Sequence, residues 1–246
     1  MSNLQAWNEM APPGNRFVSP NFNSRKPTGL TPTHIVIHVT GTQSLASVKQ
    51  TFMAGNSVSA HYLVGMDGAL YQFVPDALRA WHAGIESNSR NLYRKGMAVW
   101  CRYLKYFSWY KGYPKDAQYV NGDLKPVWDK TEAVFVRRAD GASWPEYGYF
   151  LQRWPGADKP VNFDVDADPN NYAIGIETLG VGSKTADPAV YTPAMYAALR
   201  ALVSNLSDKY AIPMQKGRVI GHEDVNPISR FGWDPSCGFD WARVYA

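Results

Sequence analysis

Three short runs of strand-forming residues constrain the fold more than any other feature of this chain. They are His34–Val39, Ala173–Thr178 and Arg218–Gly221. Valine and isoleucine favour extended backbone, and each run has the length of a buried strand rather than of a helix. Side chains on a strand alternate between two faces, so Ile35 and Ile37 share one face while His38 lies on the other. The sequence therefore predicts a sheet with one apolar face and one face that carries histidine.

Helix and turn signals separate these runs. Ser44 is placed to cap a short helix over residues 44–54, and Thr192 begins a longer helix with an apolar stripe at helical spacing. A hairpin with an Asp-Gly turn is expected over residues 59–74. Strands interleaved with helices predict an α/β or α+β fold, with a mixed central β-sheet flanked by helices.

We interpret residues 1–246 as a single domain with two atypical parts. Residues 1–33 form an irregular arm, because Pro and Gly interrupt it too often for a helix or strand. Residues 86–171 form an insertion within the domain, in which residues 93–154 contain 16 aromatic side chains. Two interpretations of the insertion stay open: a groove wall or lid that stacks on sugars, or a small aromatic core of its own.

Composition excludes several classes of protein. Apolar residues make up 45% of the chain and charged residues 19%, which is globular composition. No apolar run approaches the roughly 18 residues of a membrane span. The net charge of +4 is mild and spread along the chain, so we predict no nucleic-acid partner. The first residues lack a basic and then an apolar segment, so we expect synthesis in the cytoplasm without a signal peptide.

The five histidines are the first candidates for chemistry. They are His34, His38, His61, His82 and His222. None has the HExxH spacing of a helical zinc protease, and each lies beside a predicted strand or turn. Taken singly, each is better explained by a structural role. Taken as a set, they lie near predicted strand ends. A rigid sheet can hold imidazoles and anions from several strand ends in the tetrahedral arrangement that zinc requires.

Six short motifs occur in a fixed order around these histidines. They are IVIHVT (35–40), SAHYLV followed by DG (59–68), AWHAG (80–84), AIGIE (173–177), VIGHEDV (219–225) and DP (234–235). In this order they resemble the zinc-dependent N-acetylmuramoyl-L-alanine amidases. That family includes bacterial recycling amidases, phage lysozyme-like amidases and peptidoglycan recognition proteins. The resemblance covers residues 30–84 and 172–241, over half of the chain.

The resemblance implies one zinc ion per chain. His38 matches the first ligand of the family, His222 matches the second, and Asp234 matches the third because it immediately precedes a proline. Two imidazoles and one carboxylate leave a fourth position open for water. Cys237 is a softer alternative ligand, but it lies three residues beyond the matching place.

The resemblance also implies catalytic residues. Glu177 matches an acid that could act as general base, and His82 matches a histidine near the metal that touches substrate or orients a ligand. Family members often carry a lysine two residues before the third ligand, where this chain has Gly232. Arg230 is our candidate to supply that positive charge. Ala60 occupies the position of a tyrosine found in some phage-type members, so no catalytic tyrosine is carried over.

Two of the histidines are expected to be structural. His61 matches a position that is more often part of the core, and His34 belongs to no motif. Cys101 lies within the insertion and is interpreted as a small buried hydrophobic residue. Two cysteines form at most one bridge, so they do not define a disulfide scaffold.

The resemblance predicts a peptidoglycan amidase that hydrolyses the bond between N-acetylmuramic acid and the L-alanine of the stem peptide. The alternative is a non-catalytic module that binds peptidoglycan or muropeptides. Without a visible export signal, a lytic enzyme would reach the periplasm as a phage endolysin, through a holin, or as an antibacterial toxin effector, through a secretion machine. An effector would have an immunity protein as partner. A cytoplasmic recycling enzyme is the third possibility. The positive net charge and the large insertion make it less favoured than a lytic enzyme.

Overall fold

The computed structural model describes residues 6–87, 167–182, 191–215, 217–230, 233–236 and 239–245, together with four two-residue strands between residues 119 and 134. Most of the predicted insertion lies outside the described residues. So do Cys101, Cys237 and Gly232. Within the part of the chain that is described, no helix is both long enough and apolar enough to cross a membrane.

The described residues form eleven strands, six α-helices and one 3-10 turn. The strands are β1 (Phe22–Ser24), β2 (His34–Val39), β3 (Tyr62–Val64), β4 (Leu70–Gln72), β5 (Leu78–Ala80), β6 (Tyr119–Val120), β7 (Asp123–Leu124), β8 (Val127–Trp128), β9 (Ala133–Val134), β10 (Ala173–Thr178) and β11 (Val219–Gly221). The helices are a 3-10 turn (Pro13–Asn15), α1 (Leu45–Met53), α2 (Pro169–Tyr172), α3 (Pro193–Tyr210), α4 (His222–Val225), α5 (Pro227–Arg230) and α6 (Ala242–Tyr245). Both predicted caps are confirmed, since the side chains of Ser44 and Thr192 accept hydrogen bonds from the first turns of α1 and α3.

Five of these strands form one mixed sheet in the order β11–β2–β10–β3–β4. Strand β2 is parallel to both of its neighbours, and β10 is parallel to β3. The predicted hairpin closes the sheet at one edge as the antiparallel pair of β3 and β4. The predicted α/β class, with a mixed central sheet flanked by helices, is confirmed.

The two faces of the sheet differ as the alternation of side chains predicts. Ile35 and Ile37 of β2, with Ile174 and Ile176 of β10, belong to the main apolar cluster. The stripe of α3 joins the same cluster and is fully buried: Met195, Leu199, Leu202, Val203 and Leu206. Among the described residues, the apolar cluster on the opposite face is small. That face also carries His38 and Glu177, so α3 covers the core and leaves the polar face for the site.

The N-terminal arm is more ordered than the sequence predicts. Phe22–Ser24 forms strand β1 and pairs antiparallel with Leu78–Ala80, so the prediction that residues 1–33 contain no strand is wrong at this point. The strand fits between the prolines at positions 20 and 27. Its partners are more than fifty residues away, and such long-range pairing leaves no local pattern in the sequence.

Candidate metal centre and active site

His38, His222 and Asp234 converge at the end of the central strands. His38 is the fifth residue of β2, and His222 begins α4 directly after β11. One ligand atom from each of the three side chains lies within 4.8 Å of the others, and all three residues are buried. The structure therefore brings together the three residues that the resemblance identifies as ligands, from positions that are far apart in the sequence.

The carboxylate of Asp234 bridges the two imidazoles. Its Oδ2 lies 2.9 Å from His222 Nδ1, and its Oδ1 lies 3.7 Å from His38 Nδ1. Oδ1 also accepts a hydrogen bond from the backbone N–H of Val39 at 3.0 Å. This backbone contact fixes the carboxylate beside β2.

Electrostatics favour a metal ion in this group. Burial lowers the pKa of His38 to about 4, so its imidazole is neutral at pH 7. Burial alone would raise the pKa of Asp234, but hydrogen bonds to His222 and His38 outweigh it and hold that pKa well below its usual range. A neutral imidazole and a buried carboxylate are the forms in which these side chains bind zinc. The donor set of two nitrogens and one carboxylate fits a zinc site.

A cavity of 360 Å³ opens onto this group. It extends past the metal site toward α1, where Thr51 and Phe52 line its wall. All of the predicted site residues line it: His38, His82, Glu177, His222, Arg230 and Asp234.

Glu177 lies on β10, directly opposite His38 in the strand register. Its Oε2 is buried and has no hydrogen-bond partner within the described part of the chain. Burial raises the pKa of Glu177 well above its usual value, and the charge of Asp234 raises it further. A carboxylate with an unsatisfied oxygen beside a metal site has the properties of a general base.

His82 and Asp234 face different nitrogens of the His38 ring. The Nδ1 of His82 lies 3.0 Å from His38 Nε2, and the ring of His82 rests against the backbone of Gly175. A Cβ at position 175 would lie 2.4 Å from His82 Cγ, so only glycine leaves room for this ring. Burial lowers the pKa of His82 well below its usual value, which keeps the ring neutral.

Arg230 brings a positive charge to the same group. One guanidinium nitrogen lies 3.8 Å from Asp234 Oδ2, and the guanidinium stacks 4.7 Å above the ring of Trp233. The side chain is about one third exposed. It therefore stands between solvent and the metal site.

Both histidines that we expect to be structural are buried away from the ligand group. His61 Nδ1 accepts from the N–H of Gly175 at 2.9 Å, and its Nε2 faces the carbonyl of Leu78 at 3.0 Å. His34 lies 2.8 Å from the hydroxyl of Thr33. These buried hydrogen bonds agree with a structural role for both side chains, which stays a prediction.

Sequence reasoning missed two buried polar residues behind the site. Arg25 is 1% exposed, and its guanidinium donates to backbone carbonyls that include Asn171 at 2.8 Å and Asp76 at 2.9 Å. Asn170 accepts from the backbone N–H groups of His82 at 3.0 Å and Ala83 at 2.7 Å. The Asp-Pro pair before Asn170 is a helix-start signal that could have marked this turn. No local pattern marks Arg25.

The fold thus places a buried His-His-Asp group beside a carboxylate with an unsatisfied oxygen, which is the kind of site that metal-dependent hydrolases use. The family model for N-acetylmuramoyl-L-alanine amidase matches residues 28–124 and 125–236, and the chain belongs to that family.

The chain is also similar to a curated protein and to solved structures. The chain is 33% identical over 82 residues to the 1,6-anhydro-N-acetylmuramyl-L-alanine amidase AmpD of Haemophilus influenzae. The match covers 33% of this chain and 40% of that relative's length. A crystal structure of a selenomethionine AmpD derivative aligns with a TM-score of 0.53 at 22% identity, over 99% of this chain and 97% of that one, and supports the fold. The solution structure of Citrobacter freundii AmpD aligns over 99% of this chain and 93% of its own, at 20% identity and a TM-score of 0.44.

Proposed function

We propose that this chain is a zinc-dependent peptidoglycan amidase that hydrolyses the amide bond between N-acetylmuramic acid and the L-alanine of the stem peptide. The observation that carries the proposal is the convergence of His38, His222 and Asp234 in one buried group. Family membership supports peptidoglycan as the substrate class. We further propose that residues 1–246 form one amidase domain, with residues 86–171 inserted into it.

His38, His222 and Asp234 would hold the metal. Zinc bound there supplies a Lewis acid that polarises the amide carbonyl and lowers the pKa of water. Asp234 contributes a carboxylate that stays ionised, because its hydrogen bonds hold its pKa below its usual range. The imidazole of His38 contributes a neutral nitrogen, because burial lowers its pKa to about 4.

Glu177 would move the proton in this reaction. It takes a proton from the attacking water at its unsatisfied Oε2 and delivers that proton to the leaving amine of L-alanine. Its raised pKa favours the uptake of that proton in the first transfer. The single residue thus acts as base and then as acid.

Arg230 and His82 would stabilise the developing charge on the carbonyl oxygen. Arg230 supplies the positive charge that family members place two residues before the third ligand. His82 lines the same cavity, and within the described residues its Nε2 has no hydrogen-bond partner. An Nε2–H at this position is available to the substrate.

We propose a lytic role for the enzyme, as a phage endolysin or as an antibacterial effector delivered to the periplasm. The positive net charge favours the polyanionic wall surface, and the large insertion distinguishes the chain from a compact recycling amidase. An effector should kill a cell when the chain is directed to its periplasm, and co-expression of a partner immunity protein should prevent the killing. Harmless expression in the periplasm would contradict the lytic role and would leave the amidase chemistry intact.

Digestion of purified peptidoglycan with and without a zinc chelator tests the chemistry. We expect free stem peptides that begin with L-alanine and glycan chains without peptide, both lost on chelation and restored by added zinc. Mass spectrometry of the products locates the cleaved bond. Binding of zinc at one ion per chain with no cleavage would instead identify a recognition module.

A further inference from the structure

The Nε2 atoms of both proposed histidine ligands, which point away from Asp234, contact one short segment of the chain, residues 82–84. His38 Nε2 lies 3.0 Å from His82 Nδ1, and His222 Nε2 lies 3.3 Å from the carbonyl oxygen of Gly84. The Nδ1 atoms of the same two rings face Asp234. Each ring is therefore held between the proposed metal site and this segment.

The partners on the segment determine which ring nitrogen carries the proton. A carbonyl oxygen only accepts, so once a metal at Nδ1 replaces the hydrogen bond from Nδ1 to Asp234, Gly84 selects the form of His222 in which Nε2 is protonated. A neutral imidazole has a single proton, and Nδ1 is then left with a lone pair for a metal. The same holds for His38 when its Nε2–H donates to His82 Nδ1. Outer hydrogen bonds of this kind orient the ligands of metal sites and fix their tautomers.

The segment is itself fixed by one side chain. Asn170 Oδ1 accepts from the N–H groups of both His82, at 3.0 Å, and Ala83, at 2.7 Å. Asn170 is 8% exposed and lies in helix α2, whose N-cap is Asp168. Its own backbone carbonyl accepts from the buried guanidinium of Arg25 at 3.1 Å. An anchored amide thus holds two consecutive peptide groups of the segment.

We propose that Asn170 is a positioning residue of the metal centre: its side-chain oxygen fixes His82–Gly84, and that segment orients His38 and His222 with Nδ1 toward the metal. The inference rests on the proposed zinc site. It assigns a role to a residue that touches neither metal nor substrate and acts through two hydrogen bonds to backbone.

Zinc affinity and histidine tautomers test this role. The dissociation constant is measured by competition with a chromophoric chelator, and the ¹⁵N shifts of the imidazoles are measured in the zinc-loaded protein. For Asn170→Ala we expect about 10- to 100-fold weaker zinc binding, with loss of the single Nε2–H form of His222. Asn170→Asp keeps an oxygen acceptor for the same two N–H groups, so its affinity and spectrum should stay close to those of the wild type.

Asn8→Ala is the matched control. Asn8 is also a buried asparagine, and its side chain makes hydrogen bonds to Asn205 at 2.8 Å and Met10 at 2.9 Å, outside the cavity. We expect it to lower thermal stability without changing zinc affinity. An equal loss of zinc affinity in Asn8→Ala and Asn170→Ala would reduce Asn170 to a general structural residue.

The outcomes separate this inference from the proposed function. Failure of the wild type to bind zinc would overturn the proposed function. Wild-type binding with unchanged affinity and tautomers in Asn170→Ala would overturn only the role of Asn170. If Asn170→Ala does not fold, His82→Ala removes the acceptor of His38 Nε2 directly and should weaken zinc binding; unchanged affinity and an unchanged His38 tautomer would then contradict the inference.

Discussion

Glu177 and His38 lie opposite each other on two neighbouring parallel strands. The hydroxyl of Thr178 donates to the carbonyl of His38 at 2.6 Å and ties the two strands together at this point. Sheet geometry alone therefore places the proposed base beside a proposed ligand, on backbone that is hydrogen-bonded on both sides. Because neither residue lies on a loop, the effect of substituting either side chain can be attributed to that side chain and not to a loop movement.

His38→Gln should abolish zinc binding and hydrolysis. Glutamine removes the imidazole nitrogen that faces Asp234 and leaves a group of two ligands. His34→Gln is the matched control, because His34 lies on the same face of β2 and is also buried. The control should affect stability and leave zinc content unchanged. Elemental analysis of both purified proteins is the measurement, and a full zinc content in His38→Gln would contradict the ligand assignment.

Glu177→Gln should retain zinc and lose turnover. Glutamine keeps the shape of the side chain but does not take up a proton, so we expect kcat to fall by about 10²- to 10⁴-fold. Release of stem peptides is measured together with zinc content. Asp67→Asn, a carboxylate-to-amide change at the hairpin turn, is the control and should keep wild-type kcat. Wild-type turnover in Glu177→Gln would exclude Glu177 as the base.

Arg230→Met should lower kcat by about 10²-fold or more, because it removes a charged donor from the developing oxyanion. Methionine preserves contact with the ring of Trp233, so the fold should be unaffected. Zinc content should stay near one ion per chain. A lower kcat that is accompanied by loss of zinc would show that Arg230 supports Asp234 and not the substrate.

Gly175→Ala should disturb the His82 ring. The added Cβ would lie 2.4 Å from His82 Cγ, and β10 cannot yield because β2 and β3 flank it. Overpacking of this kind costs about 1–3 kcal/mol of stability. Gly84→Ala is the control, since no atom of the described residues lies within 4 Å of its added Cβ. Thermal unfolding and kcat of the two variants should diverge, and equal behaviour would contradict the tight packing of His82.

Metal-free protein should lose stability as the pH falls below about 6.5, in part because of His61. Burial, together with the nearby charge of Arg25, lowers the pKa of His61 to about 3. Between these values the unfolded chain binds a proton that the folded chain does not. The free energy of unfolding therefore falls by about 1.4 kcal/mol per pH unit for this residue.

His61→Gln isolates this contribution. The difference in unfolding free energy between pH 7 and pH 5 should be smaller than in the wild type by about 2 kcal/mol. Urea unfolding in the presence of a chelator measures it. A slope remains in the variant, because burial also lowers the pKa of His38, to about 4. Identical pH dependence in both proteins would show that His61 titrates normally.

Local signals in the sequence were sufficient to predict a strand or helix where the tertiary structure favours the same element. Strand β2 has the predicted bounds because its β-branched run is buried on both faces. Helix α3 begins after its predicted cap, with the predicted stripe against the sheet. The site residues came from the order of motifs around them, since spacing along the chain does not reveal that His38 and Asp234 meet.

Long-range hydrogen bonds account for what the sequence did not reveal. Arginine is rarely buried, and the carbonyl partners of Arg25 lie up to 148 residues away. Strand β1 is likewise defined by its pairing with β5 and not by its composition. Asn170 acts through the backbone of residues 87 and 88 positions earlier. A single sequence contains no pattern from which such contacts can be inferred.

The hydrogen bond between Val39 and Asp234 joins residues that are 195 positions apart. A ribosome adds about 5–20 residues per second, so about 10–40 s pass between the synthesis of the first proposed ligand and that of the third. During that interval the nascent chain contains His38 without the partners that complete the proposed metal site. If the proposed metal site carries the activity, a chain that is terminated before residue 234 lacks the third ligand and should be inactive.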